Sequence, residues 1–371
     1  MKNSFSAVSL FSGAGGMDVG FEAAGFETLF ANDLDKDACK TYSLNISKKI
    51  EQGDVRDHFE KIQAFKNVDM LFGGPPCQGF SVAGKMNPED ERSKLLLTFF
   101  DVVDLIQPRS FVCENVKALG ELDKWSGIRS EVMRRVSDDY MATMVVLSAN
   151  DFGVPQRRDR VFCIGIHKSC GEMDLQSFES LVKRLLANQM KPAKTVRSII
   201  RSCGKAGTAS NQRICNAKIT FARSPVLRKS PYAGMLFNGA GRPLCAKGYA
   251  STLPASMGGN KTPIVDEREI FEGGKSFVED YHSHLMSGGA VKVGQAPEYL
   301  RRLTIDECLL FQTFPKKYKL YGRQSSLYRQ IGNAVPCLLA KSVATVAHTI
   351  LSEPDLIAFA DRTLYEPIAA Q

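Results

Sequence analysis

Apolar positions in the first half of the chain follow two alternating rhythms. Short β-rich runs at residues 8–11, 28–31, 68–72 and 111–113 are separated by stretches in which apolar side chains return every three or four residues. Met17, Phe21 and Ala24 form one such stripe, stopped by Gly25, and Leu95, Phe99, Val103 and Ile106 form another. Strand and helix in alternation predict an α/β fold, doubly wound around a mostly parallel sheet. Residues 144–147 and 161–166 read as two further strands. The linker between them, with Gly153 and Pro155, is too short for a helical crossover, so they are expected to pair antiparallel at one end of the sheet.

After about residue 180 the rhythm lapses. The chain becomes rich in Gly, Ser, Pro and Lys, with only short possible strands, which predicts a smaller, irregular second domain. Near the C-terminus Pro336 can open a helix whose Leu339, Val343, Val346 and Ile350 share a face, and that helix is expected to return to the sheet. The expected division is a sheet domain over 1–185, a smaller irregular domain over 186–322 and a returning segment over 323–371.

Charge sharpens this division. The net charge of +8 conceals residues 180–265, which hold 15 Lys or Arg and no Asp or Glu, while the remainder carries 33 basic and 40 acidic residues. A solvated surface normally mixes signs, so this stretch points to a polyanionic partner, nucleic acid first. Phe221, Tyr232, Leu236, Phe237 and Tyr249 within it argue for a folded surface over a disordered arm. No apolar run approaches the roughly 18 to 20 residues that cross a bilayer, and serines and glycines interrupt the first apolar stretch, so a cytoplasmic protein without membrane contact is expected. The ten cysteines include no Cys-x-x-Cys pair, which speaks against a metal site and for reduced thiols.

The candidate chemistry gathers at predicted strand ends. Phe11-Ser-Gly-Ala-Gly-Gly-Met17 ends the first strand and opens the first helix, where glycines let a ligand approach the backbone. Asp18 stands where a dinucleotide fingerprint has its third glycine, and its carboxylate would repel a pyrophosphate, so a cofactor without phosphates is expected. Asp33 ends the second strand and Asp54 a third, positions where acids commonly take ribose hydroxyls. Gly73-Gly-Pro-Pro-Cys-Gln-Gly-Phe-Ser81 sets Cys77 in a polar loop after the next strand, the setting of a nucleophile rather than of a packed thiol. Glu114 and Asn115 follow another strand, offering a carboxylic acid that burial can keep protonated, and Gln156-Arg-Arg-Asp-Arg160 precedes the last strand. Taken singly, each has an ordinary alternative as a turn, a cap or a solvated charge. Together they fall on the rim where open α/β sheets bind ligands.

This order of motifs resembles the DNA (cytosine-5)-methyltransferase family. The cofactor loop, the Pro-Pro-Cys loop, Glu114-Asn-Val116 and Gln156-Arg-Arg-Asp-Arg160 are similar to its motifs in their usual order, as are Arg301-Arg-Leu-Thr-Ile-Asp-Glu-Cys308 and Gln330-Ile-Gly-Asn-Ala-Val-Pro336. The resemblance implies a bacterial or phage type, S-adenosylmethionine-dependent enzyme of restriction–modification, acting as a monomer on duplex DNA. It implies catalytic roles for Cys77, Glu114, Arg160 and Arg158. The implied cofactor pocket takes Phe11, Gly13, Ala14, Gly15, Gly16, Asp33, Leu34, Asp54, Val55, Gly74, Pro76, Asn333, Ala334 and Val335. Gln78, Ser81 and Arg92 are expected to touch DNA from the nucleophile loop, whose residues 82–93 read as a lid. Thr252 does so from a Thr-Leu element similar to the family's, and Arg213, Arg223, Arg228, Lys229 and Arg242 are expected DNA contacts from charge.

In the implied reaction Cys77 adds to carbon 6 of a flipped-out cytosine while Glu114 engages ring nitrogen 3, so that carbon 5 can take a methyl group. Competing readings are an enzyme of the same fold acting on transfer RNA, and a DNA-binding module without activity. The basic segment lacks the Cys-Phe-Thr element associated with the RNA branch, and all three central residues of the site are present, which disfavours both. A nicotinamide-dependent oxidoreductase is the weakest alternative.

Overall fold

The computed structural model describes residues 4–76, 91–353 and 355–357, with 91–93 described through their backbone alone. The chain divides into two compact units. The first comprises residues 1–152, 159–191 and 337–371, and the second comprises 153–158 and 192–336.

Strands β1 (Phe5–Leu10), β2 (Phe26–Asp33), β3 (Ile50–Gln52), β4 (Met70–Gly73), β5 (Ser110–Val116) and β6 (Tyr140–Ser148) come first, then β7 (Gln156–Arg157) and β8 (Asp159–His167). All but β7 form one sheet in the order β3-β2-β1-β4-β5-β8-β6. Pairing is parallel from β3 to β5, whereas β8 runs antiparallel to both β5 and β6. The antiparallel pair thus lies at one end of the sheet, as its short linker requires. The strand order reverses between β1 and β4, where Leu10 is level with Gly73.

Alternate side chains on each strand face opposite layers. Val8, Leu10 and Leu71 join Phe99, Val103 and Ile106 of α4 (Glu91–Ile106) and Val132 of α6 (Ser126–Val136) in one core. On the other face Phe72 stacks on Phe21 of α1 (Gly16–Glu22) with ring centroids 3.9 Å apart. The helices α2 (Lys36–Asn45), α3 (Phe59–Ile62) and α5 (Lys117–Glu121) complete the crossovers, and α7 (Leu175–Ala187) packs on β6.

The last helix of the unit, α13 (Cys337–Ser352), returns to this face with Leu339, Val343, Val346 and Ile350 buried. It crosses α1 so tightly that a Cβ at Gly20 would lie 2.6 Å from that of Ala340. Within residues 324–352 one 18-residue window is apolar enough to cross a membrane by length and composition alone, contrary to the expectation that no such run exists, and 72% of that window is buried inside the protein.

The second unit contains α8 (Val196–Cys203), β9 (Phe221–Val226), β10 (Met235–Phe237), β11 (Ala250–Ser251), β12 (Ile264–Asp266), α9 (Glu267–Glu272), α10 (Phe277–Met286), β13 (Leu300–Arg302), α11 (Ile305–Phe311) and α12 (Gln324–Asn333). Its strands pair only two by two: β9 with β10, β7 with β11, and β12 with β13. Phe221, Leu236, Phe237, Ile264, Tyr281 and Leu285 belong to its core.

Candidate active site

The end of β1 and the start of α1 are joined by a loop that only glycines can trace easily. Gly13 and Gly15 have φ of 54° and 82°, and Phe11 also adopts φ 53°, which is costly for a residue with a large side chain. The loop is fixed to the end of β2. Asp33 accepts the Gly13 amide through Oδ2 at 2.8 Å and the Asp35 amide through Oδ1 at 2.8 Å, and the Ser12 amide donates to Asn32 O at 3.0 Å. Burial raises the Asp33 carboxyl above its ordinary range despite these amides. A Cβ at Gly13 would meet nothing within 4 Å, so the loop opens outward there.

Beside it, Leu34 is 71% exposed. Asp54 caps the short turn that begins at Val55 and is bound by both Nε and Nη2 of Arg56, at 2.9 and 2.6 Å. The guanidinium holds its carboxyl below the ordinary range. Among the described residues of the first unit, these groups form a cradle of carboxylates and apolar surface suited to hydroxyl groups and a flat ring.

Asp18 corrects the reading of the glycine loop. Instead of facing a ligand, it is fully buried behind the loop, where Oδ1 accepts the Tyr42 hydroxyl at 2.9 Å and Oδ2 has no hydrogen-bond partner. Burial pushes its pKa up to about 7 against the opposing hydrogen bonds of Ser9 and Tyr42. Asp18 therefore cannot discriminate among cofactors by repelling phosphate.

Next along the rim, Gly73 follows from the packing of β4 on β1, since a Cβ there would lie 2.3 Å from Leu10 O. Asn115 Nδ2 donates to Pro75 O at 3.3 Å, tying the Gly73–Pro76 run to the end of β5. Glu114, 8% exposed, lies in the same strand. Its Oε1 is 2.8 Å from Arg160 Nε, an ion pair without hydrogen-bond alignment, while Arg160 Nη1 donates to Asp159 O at 2.7 Å. A Cβ on Gly74 would lie 3.0 Å from Glu114 Oε2, so glycine at 74 keeps a side chain from crowding the second carboxylate oxygen. Cys77, Gln78, Ser81 and residues 82–90 of the expected lid lie outside the described residues, as does the side chain of Arg92, while the backbone of 91–93 opens α4.

Within the second unit, the structure bears on two expectations. Arg158 is deeply buried. It is 3% exposed, and Nη1 donates to Leu253 O at 3.4 Å and Gly332 O at 3.1 Å. Arg213 is not an available phosphate contact, because it clasps the Asp306 carboxylate through its backbone amide, Nε and Nη2. Arg242 donates to Ala240 O, whereas Thr252 remains exposed with its hydroxyl donating to Arg157 O at 2.8 Å. Asn333 is exposed at the end of α12, followed by buried Ala334 and Val335.

Two glutamines that motif reading passed over hold this region. Gln156 accepts the Leu253 amide through Oε1 and donates to Gln312 Oε1, and Gln312 in turn donates to Ile331 O and Ala334 O. Gln156 was visible as a member of its motif. Gln312 carried no signal beyond its place between Phe311 and Thr313.

Comparison with known proteins gives a concordant result. Residues 5–348 match the family described as C-5 cytosine-specific DNA methylase. The type II methyltransferase M1.HphI of Haemophilus parahaemolyticus is 32% identical, over 92% of this chain and 86% of its own. M.NgoFVII of Neisseria gonorrhoeae is 31% identical, over 94% and 89%. A solved structure of a putative DNA modification methyltransferase encoded within an Escherichia coli prophage has the same fold, with TM-score 0.64 and 23% identity over 94% of this chain and all of that one. The Dnmt2 methyltransferase of Schizosaccharomyces pombe also shares the fold, with TM-score 0.64 and 19% identity over 94% and 99%.

Proposed function

The chain belongs to the C-5 cytosine-specific DNA methylases and is a DNA cytosine-5 methyltransferase, and we propose that it works through a covalent Cys77 adduct to a cytosine turned out of duplex DNA. The observation that carries this reading is the Glu114–Arg160 pair at the end of β5, with Gly74 keeping a side chain from crowding one carboxylate oxygen beside the run that leads into Cys77.

The cradle around Asp33, Leu34 and Asp54 fits S-adenosylmethionine. Carboxylates at strand ends accept ribose hydroxyls, the exposed leucine covers an adenine face, and no cationic group for a phosphate is required. When bound, that cofactor supplies an electrophilic methyl group. Phe11, the loop glycines, Val55, Pro76 and the Asn333–Val335 turn are assigned to the same pocket by their motif positions.

Carbon 5 of cytosine is too weakly nucleophilic to be methylated directly. The Cys77 thiolate forms a bond to carbon 6 while Glu114 donates a proton to nitrogen 3, and the resulting enamine carries its electron pair at carbon 5. After methylation, loss of the carbon 5 proton returns the electron pair as the carbon 6–sulfur bond breaks, nitrogen 3 gives its proton back to Glu114, and the thiolate is regenerated. Arg160 fixes Oε1 of Glu114, so Oε2 is the oxygen presented to the base. Carbon 6 is shielded within a stacked duplex, so the base leaves the helix at a cost of about a few kcal/mol, offset by contacts in the pocket.

A duplex with 5-fluorocytosine at the target tests this, because fluorine blocks the final elimination. With S-adenosylmethionine present, mass spectrometry should find DNA linked to Cys77. A methylated product on ordinary DNA with no adduct on the fluorinated duplex would overturn the covalent route.

A further inference from the structure

The charge of the second unit is not uniform in use. Arg197 pairs with Glu269, Arg213 with Asp306, and Arg201 donates to Ile270 O, so these cations stitch the unit together. Arg223, Arg228 and Lys229 are different. All three are exposed, and among the described residues their side chains have no hydrogen-bond or ion-pair partner. They share one element, the β9–β10 ribbon and its connecting residues 227–234.

The ribbon is built to project them. Met235 is level with Val226, and Phe237 with Phe221, so β9 spends five residue steps where β10 spends two. The excess is taken up as a bulge or irregularity in which Arg223 and Ser224 are exposed, next to Pro225, which has no amide proton to give to a ladder. Beneath, Phe221, Leu236 and Phe237 are buried in the core of the unit. Arg223 and Ser224 line an open groove with Met235, Asn238 and Gly239.

The connecting residues are fastened as well. Gly234 permits a close approach to Val226 O, where a Cβ would lie at 2.4 Å. From α10, the His282 Nε2 hydrogen-bonds Arg228 O at 2.8 Å, and Glu279 accepts the Tyr232 hydroxyl at 3.0 Å. Arg302, 1% exposed, donates to Asn238 O at the end of the ribbon and to Thr262 O. A surface held in place before binding loses little entropy on contact.

A two-stranded ribbon fits the major groove of DNA, and a guanidinium fork matches the O6 and N7 acceptors of guanine. Resting on the reading of this chain as a DNA methyltransferase, we propose that the β9–β10 ribbon enters the major groove, that Arg223 reads a guanine of the recognition site, and that Arg228 and Lys229 contact flanking phosphates. The recognition site therefore contains a guanine whose discrimination depends on Arg223.

The test uses the full chain and a pool of duplexes with randomised sequence around a cytosine, read both by methylation sequencing and by binding selection. The wild type should prefer guanine at one position, and Arg223→Ala should lose that preference by roughly 10- to 100-fold while other positions hold. Arg228→Ala and Lys229→Ala should leave the preference unchanged, and each should flatten the plot of log affinity against log salt by about 0.9. An Arg223→Ala protein that melts like the wild type and selects the same sequences would overturn the proposal, as would a recognition site without guanine. A wild type that selects a sequence by binding but never methylates it would instead fault the catalytic reading, leaving the ribbon supported.

Discussion

The two units handle charge in opposite ways. The sheet unit carries 24 Lys and Arg against 31 Asp and Glu, a net −7, while the second unit carries 24 against 9, a net +15. The sheet unit buries acids: among the described residues Asp18 lies behind the glycine loop with no cation beside it, and Glu114 pairs with Arg160. The second unit buries bases as well as acids: Arg158 lies on Leu253 O and Gly332 O and Arg302 on Thr262 O, in a unit that also buries Asp266, Glu269 and Glu307. Regular structure differs in parallel, since one unit has a seven-stranded sheet and the other only pairs of strands. A sheet positions a few groups closely enough for chemistry. A loop-rich, cationic surface is free to vary its outer residues without disturbing that geometry.

The largest expected break of this contrast is Glu114→Gln. If the sheet unit supplies the chemistry, the change should lower turnover by roughly 10²- to 10⁴-fold, with little loss of DNA affinity in a filter-binding titration. Equal losses of affinity and turnover would blur the division between the units.

A smaller effect concerns Asp18. Its pKa is raised to about 7, so the folded state favours the protonated form more than the unfolded chain does. Its contribution to stability is therefore fully present below about pH 4 and is lost as pH rises toward 7, at about 1.4 kcal/mol for each unit between the two pKa values. Asp18→Asn should melt with a flatter pH dependence between pH 4 and 7 than the wild type. Parallel melting curves across that range would show that the acid is not kept neutral by the fold.

The smallest is Arg302→Ala, which removes the buried donor to Thr262 O and Asn238 O. It should destabilise the protein by about 1–3 kcal/mol. Slower proteolysis of the second unit in the variant than in the wild type would contradict the account of buried arginines as internal braces.

Much of the sheet unit was legible because period, glycine and strand end all depend on neighbours in sequence. The glycine loop, Asp33, Asp54, Glu114 and the antiparallel pair of β6 and β8 lie where their local patterns imply. The second unit was legible only in bulk. Its run of 86 residues without a carboxylate finds acids beyond its end, at Asp306, Glu269 and Glu279, and no local pattern could say which arginine meets them. Arg213 was misjudged for that reason. The inward turn of Asp18 was likewise hidden, because the partner that draws it, Tyr42, is 24 residues away.

The path of the backbone has a consequence for inheritance. Between residues 152 and 159 the chain leaves the sheet unit, contributes six residues to the other unit and returns, before departing again at 192 and coming back at 337. Those six residues are not passive, since β7 pairs with β11 and Gln156 takes the Leu253 amide. A cassette exchanged between relatives as residues 192–336 alone would arrive without its own short strand, and would have to accept the recipient's Gln156, Arg157 and Arg158 as a graft bed. Chimaeras that carry 153–158 from the donor along with the cassette should therefore fold more often than those that do not.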